Sequence, residues 1–278
     1  MYNSINKTDR GWSFMIKAII FDLDDTLLWD KKSVEIAFKK TCEIAALKHE
    51  IDPTELEEAV RFEARMLYET YDIYEFTQKI GINPFEGLWG NFNDEGDSFQ
   101  RMKEIVPSYR KEAWTRGLKR IGINDEELGS ELAELFPVER KKNPFIYEES
   151  LKVLDLLKDT YKLILLTNGS PSLQYSKLEI TSEIAPYFEK IIISGAFGIG
   201  KPDPSIFEHV LTETDVNADE AIMVGDNLMT DILGASRVKM RSVWINREDK
   251  QPSKEVIPTY EICHLEELLP ILEELRGN

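Results

Sequence analysis

Cysteine is scarce: Cys42 and Cys263 are the only two in 278 residues. A pair so far apart does not make a disulfide framework, so both are expected to be reduced, buried thiols packed as small core residues. Long apolar runs are missing too. Those present are short, such as 163–166, which excludes a membrane-spanning helix. The opening segment 1–14 is polar and mixed, without the apolar stretch of a signal peptide. It is expected to be a loose extension, and the chain to be cytoplasmic. Basic charge is in deficit, with 34 Lys and Arg against 51 Asp and Glu and a net charge of −17. A long-range negative field argues against nucleic acid and against an anionic membrane as partners. Histidine is rare as well, and His49, His209 and His264 stand apart from any metal-ligand motif. No internal repeat or low-complexity tract is present.

The chain does have ample material for a core. Hydrophobic residues make up 42% and charged residues 31%, as in a soluble globular protein. Short apolar, β-branched runs at 16–21, 161–166, 190–194, 221–224 and 241–245 suit buried parallel strands, with 260–263 as an edge strand. Helical patterns alternate with them at 149–158, 171–184, 204–212, 231–238 and 265–276. Asp203 before Pro204 is a cap followed by proline at the first helical position. Asn217 with Glu220 fits a capping pair before a single turn. Such alternation predicts an α/β fold, a doubly wound parallel sheet of the Rossmann type.

Residues 30–145 carry no convincing strand and predict an all-helical insertion directly after the first strand. Val34, Ala37, Phe38 and Ala45 recur at helical spacing. Asp52-Pro53-Thr54-Glu55 opens a second helix and Gly81 ends a later one. Pro107 is expected to restart a helix, and Asn124 with Glu127 to cap another. The predicted division is therefore an extension over 1–14, an α/β core over 15–29 and 146–278, and a cap over 30–145.

Strand ends hold the chemistry. In an open parallel sheet ligands bind beyond the carboxyl ends, where strand order reverses. These ends deliver Asp22 and Asp24, then Thr167-Asn168-Gly169, then Lys201 in Gly200-Lys201-Pro202-Asp203-Pro204, then Gly225-Asp226 with Asp231 five residues on. Carboxylates crowded together repel unless a cation intervenes. Mg²⁺, a hard oxygen-seeking ion that keeps several waters, suits one or two of them plus substrate oxygens. Lys201 adds a compact positive charge, and Thr167 with the backbone amides after it adds neutral donors, a set suited to phosphate.

On these motifs, in this order, the chain resembles the haloacid dehalogenase superfamily of phosphohydrolases. Asp22-Leu23-Asp24-Asp25-Thr26, Thr167, Lys201 and Gly225-Asp226-x₄-Asp231 match its four motifs, and the helical insertion resembles its cap. The resemblance implies that Asp22 is the nucleophile and Asp24 the general acid, then base. It implies Mg²⁺ on Asp22, the Asp24 carbonyl and Asp226, with Asp231 supporting the metal waters or Lys201. Thr167, Asn168 and Lys201 would hold the phosphoryl group. The expected activity is Mg²⁺-dependent hydrolysis of a small phosphorylated metabolite by a monomer or homodimer. A phosphomutase, or a catalytically silent phospholigand-binding regulator, are the alternatives. A metal-free dehalogenase would leave Asp24 superfluous.

Other residues have plainer readings. Asp25 and Asp203 are expected in turns or caps. The aromatic stretch 83–92 is expected to pack its rings on neighbouring cap helices rather than line the pocket. Arg61, Arg65, Arg110 and Arg116 are candidate specificity cations, each more at home on a surface.

Overall fold

The first apolar run becomes β1 (Ala18–Phe21), with all four residues buried. A computed structural model describes residues 15–276, so the extension 1–14 lies outside the described residues. Five further strands follow: β2 (Lys162–Thr167), β3 (Lys190–Ile193), β4 (Ala221–Gly225), β5 (Arg241–Ile245) and β6 (Tyr260–Ile262). All pair in parallel, in the order β3-β2-β1-β4-β5-β6. The chain winds one way from β1 to β3 and the other way from β4 to β6. Strand order therefore reverses beside β1, and the ends of β1, β2 and β4 face one crevice.

Between β1 and β2 lies the helical cap. Its helices are α1 (Asp30–Lys48), α2 (Pro53–Tyr68), α3 (Tyr74–Ile80), the short α4 (Pro84–Gly87), α5 (Asp97–Arg120) and α6 (Glu126–Lys142). They enclose a core of their own around Phe38, Trp89, Phe92, Tyr109, Trp114 and Phe136. Asp52 caps α2 by accepting from the Thr54 N–H at 2.8 Å, and Gly81 ends α3 in the left-handed region at φ 79°. Two local expectations are corrected. Pro107 lies inside α5, exposed, and does not start a helix. Met102, Val106, Tyr109 and Ala113 form a buried stripe on either side of it, and that packing outweighs the lost backbone bond. Asp125, not Asn124, caps α6, because Asp125 is the extended residue whose carboxylate reaches the Leu128 N–H at 2.8 Å.

The core helices are α7 (Ser150–Leu157), α8 (Pro171–Ile180), the short α9 (Ser194–Phe197), α10 (Pro204–Thr214), α11 (Leu233–Arg237) and α12 (Leu268–Arg276). Alternation along β1 decides which cover which face. Ile19 and Phe21 meet α7 and α12, whereas Ala18 and Ile20 meet α10 and α11. The helix expected over 171–184 stops at Ile180, and a 3₁₀ turn at Ala185–Tyr187 carries the chain onward. The helix expected from 231 is preceded by a π-helical turn, Leu228–Ile232. Cys42 is buried as expected, but Cys263 is exposed, because it follows the edge strand β6 and faces solvent. Among the described residues no helix is long and apolar enough to cross a membrane.

Candidate active site

Asp22 is the first residue past β1, buried, and held to the sheet by its N–H on the Val224 carbonyl. Its Oδ1 accepts from Lys201 Nζ at 2.6 Å, and its Oδ2 from Thr26 Oγ1 at 3.4 Å. Thr26 Oγ1 in turn accepts from the Asp226 N–H at 3.0 Å, so one hydroxyl ties the ends of β1 and β4 together.

Lys201 arrives from the loop before α10. The Asn168 carboxamide grips its backbone on both sides, accepting from the Lys201 N–H at 2.8 Å and donating to its carbonyl at 2.9 Å. The ammonium is thereby aimed at Asp22, the Leu166 carbonyl at 2.8 Å and Asp231 at 2.7 Å. Burial alone would lower its pKa; the Asp22 and Asp231 carboxylates more than offset that and raise it. Asp203 is occupied in capping α10, through Ser205.

Asp231 sits in the π-helical turn and packs against Gly225, where any Cβ would collide with its carboxylate. Its Oδ2 accepts from the Asn227 N–H at 3.1 Å. Buried Trp244 donates from Nε1 to the Asp226 carbonyl at 2.9 Å, fixing the same loop.

Three carboxylates converge here: Asp22, Asp226 and Asp231 each offer an oxygen, all within 4.8 Å of one another. Burial pushes Asp22 up to about 6 against the pull of Lys201, and burial followed by the neighbouring carboxylates pushes Asp226 up to about 8. Lys201 serves Asp22 and Asp231 but not Asp226. An oxygen-only donor set that holds more negative charge than Lys201 offsets fits a hard divalent cation.

The haloacid dehalogenase-like hydrolase family model matches residues 16–239. The chain belongs to that family. Among its relatives, the phosphoserine phosphatase of Thermus thermophilus is 30% identical over 253 residues, covering 91% of this chain and 98% of that one. The glyceraldehyde 3-phosphate phosphatase of Pyrococcus abyssi is 29% identical over 273 residues, covering 95% and 97%. The magnesium-bound crystal structure of the HAD-hydrolase YfnB from Bacillus subtilis superposes with a TM-score of 0.65 at 22% identity, over 93% of this chain and 99% of that one, a likeness of fold.

In this hydrolase, Asp24 belongs to a second polar group that its motifs do not announce. Asp24 Oδ2 accepts from Lys177 Nζ at 2.7 Å and from Gln174 Nε2 at 3.2 Å. Gln174 also donates to Thr167 Oγ1 at 2.5 Å, which connects Asp24 to the end of β2. Lys177 further pairs with Glu86 Oε1 at 3.0 Å and lies 3.9 Å from Asp30, which takes Arg140 at 2.7 Å. Burial pushes the Asp24 carboxyl up, against the pull of Lys177. Sequence reasoning missed Lys177, Gln174 and Glu86. One signal was available: α8 presents Gln174 and Lys177 on the same buried stripe as Leu173 and Leu178.

The remaining residues fall as follows. Asp25, at φ 58°, accepts from the Lys31 N–H at 2.9 Å and so braces the start of α1. Leu88, Trp89 and Phe92 are buried in the cap, as the plainer reading of 83–92 held. That stretch reaches the site through Glu86, which also completes a capping box with Asn83 on α4. Arg61 and Arg65 lie over the Phe85 ring, Arg110 donates to the Gly87 and Gly90 carbonyls, and Arg116 pairs with Glu112. No contact joins these four to Asp22 or Asp24 among the described residues. His49 meets Asp125, His209 stacks on Phe197 and His264 meets Glu149.

Cap and core also meet through backbone. The last carbonyls of α3, which a helix leaves without internal partners, accept from core loops. Ile80 O takes the Gly169 N–H at 3.1 Å and the Ser194 hydroxyl at 2.5 Å, and Lys79 O takes the Gly200 N–H at 2.9 Å. Asp94 closes the other side, accepting from Ser170 Oγ at 2.5 Å and the Ser172 N–H at 2.6 Å at the start of α8.

Proposed function

We propose that this hydrolase is a Mg²⁺-dependent phosphatase acting on a small phosphomonoester through a phosphoryl group carried on Asp22. In this reading residues 15–29 and 146–278 perform the chemistry and the cap, 30–145, selects the leaving group. The observation that carries it is the pair of carboxylates at the end of β1. Asp22 is pinned by Lys201 on one oxygen, while Asp24 is held by Oδ2, its buried Oδ1 having no partner among the described residues. A second carboxyl with a free oxygen is what protonation of a leaving alcohol requires, and what displacement at carbon does not. The two phosphatase relatives, acting on phosphoserine and glyceraldehyde 3-phosphate and matched over nearly their whole lengths, agree with it.

The chain's own groups divide the work. An Asp22 oxygen attacks phosphorus as the bond to the leaving oxygen breaks, and Asp24 gives that oxygen its proton. Asp24, now a carboxylate, takes a proton from water; the water oxygen bonds to phosphorus, the bond to Asp22 breaks and phosphate leaves. Lys201, with Thr167 and the backbone amide at Asn168, holds the phosphoryl oxygens, the Gly169 N–H being spent on the Ile80 carbonyl. Asp231 keeps Lys201 charged and in place. Mg²⁺, held by Asp22, the Asp24 carbonyl and Asp226, would neutralise charge on the phosphoryl group as a Lewis acid. The closed cap excludes water from the first step.

A screen of small phosphorylated metabolites for phosphate release tests this. Release is expected from at least one, abolished by a chelator and restored by Mg²⁺. Full activity in excess chelator would overturn the metal assignment, and phosphate release dependent on a bisphosphate activator would favour a mutase.

A further inference from the structure

Lys177 is a buried ammonium that the proposed reaction does not use. It projects from α8, its side chain is 3% exposed, and it stands between a core carboxylate, Asp24, and a cap carboxylate, Glu86, whose own side chain is 7% exposed. An ammonium taken out of water this completely is a costly way to join two elements that apolar contacts already join. Its geometry is more specific than a brace requires. Lys177 and Gln174 both donate to the same oxygen of Asp24, Oδ2, and none of the described residues donates to Oδ1. A carboxyl group that exchanges a proton with substrate must present one oxygen in a fixed direction, and rotation about χ2 would scramble the two.

We propose that Lys177 is a positioning residue for Asp24. Its ammonium, with the Gln174 carboxamide, anchors Oδ2 and so fixes the direction of Oδ1, which is buried here and takes no hydrogen bond from the described residues, while Glu86 makes that anchor depend on where the cap sits. Glu86 belongs to the α4 capping box, and its Oε2 accepts from the Asn83 N–H at 3.0 Å, so its position follows the cap rather than the core. When the cap closes, Glu86 meets Lys177, and the proton donor is set in the same movement that shuts out water. The inference rests on the phosphatase reading of Asp22 and Asp24.

The test is a series of aryl phosphates, from nitrophenyl through chlorophenyl to phenyl, whose leaving groups become steadily poorer. The wild-type enzyme should show kcat/KM nearly independent of leaving group, because Asp24 supplies the proton. In Lys177→Met, nitrophenyl phosphate should keep kcat/KM within a few-fold. Phenyl phosphate should lose about 10²-fold, the cost of a misplaced catalytic group, so the dependence steepens. With nitrophenyl phosphate, kcat should fall more than kcat/KM, because the second step still needs Asp24 as base. Lys177→Arg should return part of the slope. Where Lys177→Met does not accumulate as folded protein, Lys177→Gln removes the same charge and is read the same way. An equal loss across the whole series would make Lys177 a brace between cap and core and overturn the proposal. A wild-type enzyme that releases no phosphate from any member would overturn the phosphatase reading, and this inference with it.

Discussion

Asp22 and Asp24 lie two residues apart and are each held by a buried lysine, but by different ones on different sides of the site. Asp22 is tied to the Val224 carbonyl through its N–H and to Lys201 through Oδ1. Asp24 turns the other way, toward α8. The difference predicts different losses. In the proposed reaction Asp22→Asn removes the attacking oxygen, so turnover should fall to background and no phosphorylated protein should form. Asp24→Asn keeps the nucleophile and removes the proton carrier, at a cost of roughly 10²–10⁴-fold in turnover. With a nitrophenyl substrate, whose leaving group needs little protonation, Asp24→Asn should accumulate phosphorylated Asp22. Mass spectrometry of acid-quenched protein reads this directly. An adduct on another residue, or substantial turnover by Asp22→Asn, would show that the roles are misassigned. The motif residues were legible because Asp22 and Asp226 stand just past strands that local apolar patterning marks, and Lys201 and Asp231 lie in short motifs a few residues further on. Thr167 was legible in the same way, although it is the last residue of β2 rather than the first beyond it.

At the scale of elements, α8 is where the cap takes hold. Its N-terminus is capped from within by Ser170 and from the cap by Asp94, whose carboxylate receives the Ser172 N–H and both serine hydroxyls. A charged partner at a helix N-terminus satisfies orphan donors and complements the dipole. Asp94→Ala should weaken closure by about 1–2 kcal/mol, the range for losing a cap. The ratio of closed to open should drop roughly 5- to 30-fold, and kcat/KM should fall by up to that factor. Hydrogen exchange at the Ser172 and Leu173 amides should quicken in the same variant. Unchanged exchange there would mean that Asp94 does not hold the cap. Sequence patterning does not mark Asp94, since the Asp-Glu-Gly-Asp run at 94–97 reads as an ordinary loop.

For the whole molecule, charge governs both how substrate approaches and how stability varies with pH. The net −17 sets a repulsive far field for any phosphate, so the buried Lys201 has to act at close range. Within the site, Asp22 is raised to about 6 and Asp226 to about 8, against an ordinary carboxylate near ~3.9. Without metal, the folded chain therefore keeps protons that the unfolded chain has already released. Their contribution to stability is complete below about pH 4 and is lost as pH rises through about 6 and about 8. A bound cation selects the ionised carboxylates and reverses that trend. Under the proposed metal assignment Mg²⁺ at ~100-fold over its Kd would add about 2.7 kcal/mol, or roughly 5–10 °C in Tm for a chain of this size. The shift should be larger at pH 8 than at pH 5 when followed by thermal melting. No shift at either pH would count against a metal site built from these carboxylates.

Sequence alone determined the layers of this protein and which charged residues gather beyond its strand ends. Both rest on short-range rules: apolar β-branched runs, helical spacing, caps such as Asp52 and Asp203, and motifs confined to a few residues around Asp22, Lys201 and Asp226. Short-range rules also misled, at Pro107, where the packing of a long buried stripe overrode a local helix breaker, and at Cys263, where lying just past an edge strand left a small apolar residue in solvent. Only the tertiary structure decided which groups meet Asp24. Lys177 lies 153 residues from Asp24 and 91 from Glu86, and neither separation leaves a pattern in the chain. They come together because the β1-α1 connection places the cap over the sheet edge and the turn into α8 points Gln174 and Lys177 inward beneath it. Contacts of that kind depend on where rigid elements end in space, which no window of neighbouring residues contains.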